Sequence, residues 1–204
     1  LMGARMQAKK AVLRIPSLLD YDQCKALCNA VDAKMTRNCD TVDGAPDFQL
    51  NVEQHGVPNA IRLVQAHVRQ KLRHAAWRLL QLQMKMTGGD GEGGQEEASL
   101  ISSKDMDIMA SISSHPPRMF VRRYSADTRP FIPFHCDSAR VTVNVALNDD
   151  RDFEGGELLA LYGQRIRDIK ARTAGEATVH ASSLLHAVRE MTYGVRYSLI
   201  VFYE

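Results

Sequence analysis

The sequence of 204 residues contains no apolar run that approaches the roughly 20 residues of a membrane-spanning helix. Its first ten residues lack the apolar core of a signal peptide, although a removed signal or a larger parent protein stays an alternative. The net charge is only +2, which gives no strong preference for nucleic acid or for a membrane surface. A hydrophobic content of 45% is typical of a globular protein. We therefore expect one soluble domain, residues 1–204, with a cytoplasmic location favoured.

Two common kinds of site are also missing from the sequence. The four cysteines form no C-x-x-C pair, and we expect them to be reduced, as in an intracellular protein. The glycine-rich, acidic segment 87–103 contains no G-K-[ST] and follows no strand pattern, which excludes a phosphate-binding loop. A mobile loop is the simplest interpretation of this segment, and a flap that closes over substrate is the alternative.

The first half of the chain shows mainly helical patterns. A short strand is predicted to end at Ile15-Pro16, and the spacing of Ser17 and Asp20 resembles a capping box, so a helix through Val31 should follow. Its apolar residues share one face, which predicts packing against the core: Cys24, Leu27, Cys28 and Val31. Residues 40–57 are predicted to be irregular. Apolar residues then recur at helical spacing through 58–86, which predicts one long helix. The apolar positions are Ile61, Val64, Val68, Leu72, Ala75 and Leu79.

The helix predicted for residues 58–86 is strongly basic. It contains six basic residues and no acidic one. The simplest interpretation is a supporting helix whose charged side chains reach water beside an apolar stripe. A docking surface for an acidic or nucleic-acid partner is the alternative. The basic residues are Arg62, Arg69, Lys71, Arg73, Arg78 and Lys85.

His135 and Asp137 are separated by one residue and could bind one metal ion together. Side chains at i and i+2 of a strand point the same way, so both can reach the ion while Cys136 faces away. With His186 from another strand they would form a set of two histidines and one carboxylate. Such a set leaves three coordination positions open, as an iron(II) oxygenase requires. A structural zinc site would need a fourth protein ligand.

Short strand patterns surround this motif. Residues 141–147 and 195–202 form β-rich runs, and 153–158 give a turn that leads into another strand. In the last run Arg196 and Ser198 share one face. An arginine inside a barrel needs an anionic partner, and its planar fork binds a carboxylate through two hydrogen bonds. The order of helices followed by strands predicts an α+β domain built on a double-stranded β-helix, or jelly roll.

The segment 119–204 resembles the catalytic domain of iron(II)- and 2-oxoglutarate-dependent oxygenases of the prolyl and lysyl hydroxylase group. It is most similar to the C-terminal domain of procollagen lysyl hydroxylases. This resemblance implies a jelly-roll catalytic core in 119–204 and mainly helical support in 1–118. It rests on five blocks in the same order: Phe120-Val121-Arg122-Arg123-Tyr124, Pro133-Phe134-His135-Cys136-Asp137, Thr142-Val143-Asn144-Val145-Ala146-Leu147-Asn148, Asp152-Phe153-Glu154-Gly155-Gly156 and Gly194-Val195-Arg196-Tyr197.

The resemblance implies that iron is bound by His135, Asp137 and His186. It also implies that Arg196 holds the distal carboxylate of 2-oxoglutarate. His180 competes with His186 as the second histidine, but only His186 has the family's spacing to the arginine.

Four further side chains are candidates for contact with the co-substrate. Tyr124 occupies the family position whose phenol can contact the co-substrate. Ser198 and Thr142 could add hydroxyl contacts, and the amide of Asn144 could reach the co-substrate or a metal-bound ligand. Each could instead satisfy a hydrogen bond inside the barrel or serve in packing.

The resemblance implies a hydroxylase that depends on 2-oxoglutarate and dioxygen and yields succinate and carbon dioxide. A prolyl or lysyl side chain in a protein or peptide is the expected substrate, with ascorbate as a possible reductant. One alternative is a nucleic-acid or small-molecule oxygenase of the same fold. Nucleic-acid demethylases carry a second arginine downstream, and the chain has none after Arg196. A non-catalytic jelly-roll binding module is the other alternative.

Overall fold

Two antiparallel β-sheets form the framework of the protein. The computed structural model describes residues 12–34, 36–52, 66–72, 117–162, 164–169 and 172–203. In chain order the strands within these ranges are β1 (Leu13–Ile15), β2 (Thr36–Cys39), β3 (Pro46–Asn51), β4 (Arg118–Ser125), β5 (Ile132–His135), β6 (Val141–Ala146), β7 (Phe153–Glu154), β8 (Leu158–Tyr162), β9 (Arg165–Ile169), β10 (Ala177–Ala181), β11 (His186–Val188) and β12 (Tyr193–Tyr203).

The large sheet contains eight strands and the small sheet four. The large sheet has the order β1-β10-β6-β12-β4-β3-β2, with β7 paired to β12, and the small sheet has the order β5-β11-β8-β9. Neighbouring strands are often far apart in sequence, as in a jelly roll. Side chains brought together in the interior therefore come from distant parts of the chain.

The two faces of the large sheet have different surroundings. Along β6 the side chains of Val141, Val143 and Val145 enter the main hydrophobic core. Thr142 and Asn144, between them, point to the opposite face and line a pocket. This alternation is the two-residue period of a strand. One face of the sheet thus carries the packing and the other is available for a site.

A helix, α1 (Tyr21–Lys34), packs against the core. The capping box was predicted at Ser17 and Asp20, but in the structure it forms between Asp20 and Gln23. The Gln23 amide donates to Asp20 Oδ1 at 2.8 Å, and the Asp20 amide donates to Gln23 Oε1 at 3.0 Å. The predicted apolar face is confirmed, because Leu27 and Val31 are fully buried.

The prediction that residues 40–57 are irregular was wrong for Pro46–Asn51, which form β3, while 53–57 lie outside the described residues. Within them β3 pairs with β4, with Leu50 opposite Val121, and also with β2. Phe48 and Leu50 are the only buried large apolar side chains of β3, so the apolar alternation is too short to identify a strand. Its pairing partner β4 lies far along the chain. The described residues of the first half therefore contribute β1, β2 and β3 to the large sheet besides helical support.

Only part of the long predicted helix falls in the described residues. Residues 66–72 are helical and form α2, and Val68 and Leu72 are buried as the periodicity predicts. The remainder of 58–86 and the segment 87–103 lie outside the described residues. All four cysteines are unpaired. No helix in the described part of the chain is long and apolar enough to cross a membrane.

Candidate metal centre

The two histidines of the predicted site meet across the small sheet. His135 is the last residue of β5 and His186 the first of β11, and the antiparallel register pairs them directly. Their ring centres are 4.4 Å apart. Asp137 lies two residues beyond the end of β5. One ligand atom from each of these three residues lies within 4.8 Å of the other two, so together they could hold a metal ion.

Backbone carbonyls determine which nitrogen of each histidine is free. His135 Nδ1 is 2.8 Å from the carbonyl oxygen of Pro133, and His186 Nδ1 is 2.9 Å from that of Leu184. A carbonyl only accepts hydrogen bonds, so in both rings Nδ1 carries the proton. Both Nε2 atoms lie 3.5 Å from carboxylate oxygens of Asp137. This tautomer, held by a backbone carbonyl, is the one found in metal-binding histidines.

The local charges favour an anionic carboxylate. Burial opposes the charge of Asp137, but hydrogen bonds with His135 and Thr142 outweigh it and lower the pKa of the carboxyl. Burial and the neighbouring His180 lower the pKa of His186 to about 4. For His135, burial opposes protonation, but the hydrogen bond to Asp137 prevails and raises its pKa. The cluster therefore holds a carboxylate and at least one neutral imidazole before any metal binds.

Thr142 contacts the carboxylate directly, although the sequence suggested a contact with the co-substrate. Its hydroxyl donates to Asp137 Oδ2 at 2.5 Å and lies 2.9 Å from the hydroxyl oxygen of Ser182. Thr142 and Ser182 are both buried. The hydroxyl of Thr142 thus supports the candidate metal ligand.

Arg196 is a buried cation with unsatisfied donors. It is 1% exposed, and its Nη1 donates to the carbonyl oxygen of Gly156 at 2.8 Å. Its Nε and Nη2 find no partner among the described residues. The guanidinium carbon lies 5.1 Å from the ring centre of Tyr124, which is opposite it on β4. Burial and the charge of Arg172 lower the pKa of Arg196 to about 10, which still leaves it charged at neutral pH.

Asn144 and Ser198 also point to the inner face of the large sheet. Asn144 Oδ1 accepts a hydrogen bond of 3.0 Å from Arg172 Nη1, so its amide nitrogen remains for the pocket that it lines. Arg172 in turn pairs with Asp150 at 3.3 Å. Ser198 is fully buried, and its hydroxyl has no hydrogen-bond partner in the described part of the chain. Both side chains remain candidates for contact with a bound molecule.

His180 lies beside the cluster but does not belong to it. Its ring centre is 4.8 Å from that of His186, and its Nδ1 is 3.0 Å from the carbonyl oxygen of Ala181. Its Nε2 is buried without a partner among the described residues. The group of three that could hold a metal contains His186 and not His180.

A pocket of about 680 Å³ leads to the cluster. Its rim includes the exposed side chains of Val42 and Phe134. Deeper residues include His135, Asp137, His186, Tyr124, Thr142 and Asn144. The candidate ligands are therefore accessible from outside through a space large enough for a side chain of another molecule.

Two residues of the site, Ser182 and Arg172, were not predicted from the sequence. Ser182 reaches Thr142 from 40 positions away, and Arg172 reaches Asn144 from 28 positions away. Neither residue belongs to a motif. Only strand pairing between β6 and β10 brings these neighbourhoods together, so no local signal could have identified them.

No protein-family model matches the sequence, and no curated protein matches it at a significant level. Solved structures do resemble it. A prolyl-4-hydroxylase from Pseudomonas putida has a TM-score of 0.65 at 15% identity, covering 100% of this chain and 97% of its own. A Trichoplax adhaerens prolyl hydroxylase, solved with a peptide fragment of the hypoxia inducible factor oxygen degradation domain, has a TM-score of 0.55 at 13% identity, covering 99% and 87%.

The fold is shared by enzymes of a different reaction as well. A non-heme α-ketoglutarate-dependent epimerase from nogalamycin biosynthesis has a TM-score of 0.56 at 12% identity, covering 98% of this chain and 80% of its own. α-Ketoglutarate is another name for 2-oxoglutarate. At these identities the likeness concerns the fold, and it confirms that the chain is an α+β protein built on the double-stranded β-helix of these enzymes.

Proposed function

We propose that the protein is an iron(II)- and 2-oxoglutarate-dependent oxygenase that hydroxylates a prolyl or lysyl side chain in a protein or peptide. One observation carries the proposal. Two histidine nitrogens and a carboxylate converge in the same barrel that holds Arg196, whose buried guanidinium has two nitrogens without partners among the described residues. A binding module without catalytic activity has no need for both features.

The donor set fits iron(II). Two imidazole nitrogens and one carboxylate suit a divalent transition metal, and the facial arrangement leaves positions open for other ligands. We assign His135, Asp137 and His186 as the iron ligands. The carbonyls of Pro133 and Leu184 orient the imidazoles so that both Nε2 atoms face Asp137.

The surroundings of Arg196 fit the distal carboxylate of 2-oxoglutarate. A buried guanidinium with unpaired nitrogens is costly unless an anion joins it. A carboxylate can accept two hydrogen bonds from the planar fork. Tyr124, stacked against the guanidinium, is 2% exposed and leaves little access for competing water.

An apolar wall connects the metal cluster with Arg196. Val188 lies two residues along β11 from His186 and pairs with Leu158 of β8. Leu158 is two residues from Gly156, whose carbonyl holds Arg196. Both apolar residues line the pocket. The short carbon chain of 2-oxoglutarate would lie along this wall, with Asn144 and Ser198 available for further hydrogen bonds.

The chain and the bound groups have separate tasks in this proposal. Iron(II) with 2-oxoglutarate supplies the activation of dioxygen, with succinate and carbon dioxide as products. The side chains described above orient the co-substrate and exclude water from its distal end. The open pocket then admits the substrate side chain toward the metal. The prolyl hydroxylases among the similar structures, one of them with a bound peptide, support a peptide or protein substrate.

Absorption spectroscopy tests the metal and co-substrate assignment. Anaerobic addition of iron(II) and 2-oxoglutarate should produce a weak visible charge-transfer band. His186→Ala should abolish the band because one ligand is lost. His180→Gln is the matched control, and it should retain the band because His180 lies outside the ligand group. A folded wild-type protein without the band would contradict the proposal.

A substrate panel tests the reaction. Peptides containing proline or lysine, together with free amino acids, are incubated with iron(II), 2-oxoglutarate and ascorbate in air. A true substrate should stimulate succinate formation and gain the mass of one oxygen atom. Turnover of nucleic acid or of small molecules only, with no peptide modified, would refute the substrate class while leaving the metal centre intact.

A further inference from the structure

We propose that Thr142 and Ser182 are positioning residues that determine which oxygen of Asp137 binds the metal. The inference rests on the metal centre of the proposed function but not on its substrate. The two hydroxyls form a chain of hydrogen bonds that ends on Asp137 Oδ2. Oδ1 is thereby left as the oxygen offered to the metal.

The chemistry of the groups sets the direction of this chain. An ionised carboxylate can only accept hydrogen bonds, so the hydroxyl of Thr142 must donate to Asp137. That hydroxyl has one proton, and therefore its oxygen accepts from Ser182. The relay runs from Ser182 through Thr142 to Asp137, over distances of 2.9 and 2.5 Å.

The backbone fixes the beginning of the relay. The amide of Ser182 donates to the carbonyl oxygen of Arg140, and the carbonyl oxygen of Ser182 accepts from the amide of Asp137, each at 3.0 Å. Ser182 is thus bonded on both sides to the segment that carries Asp137. Thr142 follows directly in β6, where it is 2% exposed. The relay and the carboxylate therefore form one tightly connected unit.

The relay distinguishes two otherwise similar oxygens. Oδ1 lies 3.5 Å from Nε2 of His135, and Oδ2 lies 3.5 Å from Nε2 of His186. Each oxygen thus faces one histidine, and among the described residues only Thr142 adds a hydroxyl donor, which lies on Oδ2. Without its hydroxyl the carboxylate could bind through both oxygens and occupy a further coordination position. Held by Thr142, it binds through one and leaves three positions for the co-substrate and dioxygen.

Cobalt(II) binding tests the role of the relay without requiring turnover. In Thr142→Val the side chain keeps its shape but loses the hydroxyl. We expect its affinity for cobalt(II) to fall about 10- to 100-fold, the usual effect of removing a partner of a metal ligand. Its visible cobalt spectrum should also shift, because the carboxylate changes its mode of binding. Thr142→Ser, which keeps the hydroxyl, should restore both properties to near the wild-type values.

Ser182→Ala provides a second and independent test. It should give a smaller loss of affinity in the same direction, because the hydroxyl of Thr142 remains but its orientation is no longer fixed. If Thr142→Val does not fold, this variant decides the matter. Wild-type affinity and spectrum in a folded Thr142→Val protein, or in Ser182→Ala where the valine variant is unfolded, would overturn the inference and leave the proposed function standing. Failure of the wild type to bind cobalt(II) would overturn both.

Discussion

At the residue scale, Arg196 and Arg172 are two buried arginines in opposite situations. Arg172 is paired with Asp150 and also donates to Asn144. Arg196 donates only to a backbone carbonyl, and two of its nitrogens lack partners in the described part of the chain. Burying an unpaired charge destabilises a protein. Burial of Arg196 therefore lowers the stability of the ligand-free protein, and a bound anion would offset this loss, whereas Arg172 is part of the framework.

This contrast predicts opposite effects of two matched substitutions. Arg196→Met should leave the free energy of unfolding of the ligand-free protein unchanged or raise it, because an unpaired buried charge is replaced by an apolar chain. Arg172→Met should lower it, because Asp150 loses its partner. Urea denaturation of both variants, with circular dichroism as the signal, measures the two effects.

The Arg196→Met variant also distinguishes an effect on stability from an effect on co-substrate affinity. Arg196→Met should weaken binding of 2-oxoglutarate by about 100-fold or more, since two hydrogen bonds to a charged group contribute on the order of 1.5–3 kcal/mol each. Calorimetric titration of the manganese(II)-loaded protein measures this. Unchanged affinity in Arg196→Met would show that the carboxylate binds elsewhere.

At the element scale, the turn between β7 and β8 links the backbone to Arg196. Gly155 and Gly156 both have positive φ angles, +73° and +69°. A Cβ atom on Gly155 would lie only 1.9 Å from the carbonyl oxygen of Glu190. The next residue supplies the carbonyl that holds Arg196. The turn can therefore take this path only with glycine, and its path sets the position of the guanidinium.

Gly155→Ala should lower both stability and co-substrate affinity. Gly44→Ala is the matched control, because Gly44 has a similar φ of +71° but no atom within 4 Å of an added Cβ. The control should lose about 1 kcal/mol of unfolding free energy from the backbone conformation alone. Gly155→Ala should lose more, and its affinity for 2-oxoglutarate should fall. Equal losses in the two variants, with affinity intact, would show that the turn is not coupled to Arg196.

The sequence predicted those strands and helix faces whose residue patterns are local. The β-rich runs of β6 and β12, the turn that leads into β8 and the buried face of α1 are confirmed, because their patterns are visible in short windows. The strand β3 was missed because its apolar alternation is short and one of its two pairing partners, β4, lies far along the chain. The capping box was placed too early because Asp20 and Gln23 form it in preference to Ser17.

At the scale of the whole molecule, the site joins the two sheets. His135 and His186 come from the small sheet, while Thr142 and Arg196 come from the large one. The spacing of His135 and Asp137 paired two candidate ligands, and the family resemblance added His186 and Arg196. Their partners Ser182 and Arg172 depend on strand pairing that only the folded chain provides. The motifs therefore supply the candidate residues, whereas the hydrogen bonds that hold those residues depend on the fold.

Because the site joins both sheets, ligands should stabilise the entire fold. A ligand present at about 100 times its dissociation constant adds about 2.7 kcal/mol to the unfolding free energy. For a protein of this size that corresponds to a rise of about 5–10 °C in melting temperature. We expect manganese(II) to produce such a rise, and 2-oxoglutarate to stabilise the metal-loaded protein more than the metal-free one. One end of the co-substrate would then meet the metal of the small sheet and the other would meet Arg196 of the large sheet.

His186→Ala separates this coupling from binding at Arg196 alone. The variant should lose the shift caused by manganese(II), and 2-oxoglutarate should give it only the small shift seen for the metal-free wild type. Differential scanning fluorimetry, repeated at several ligand concentrations, measures the melting temperature of each protein without ligand, with manganese(II), with 2-oxoglutarate and with both. A full 2-oxoglutarate shift in His186→Ala would mean that the co-substrate does not bridge the sheets through a metal. The barrel would then bind 2-oxoglutarate through its buried arginine, independently of the histidine cluster.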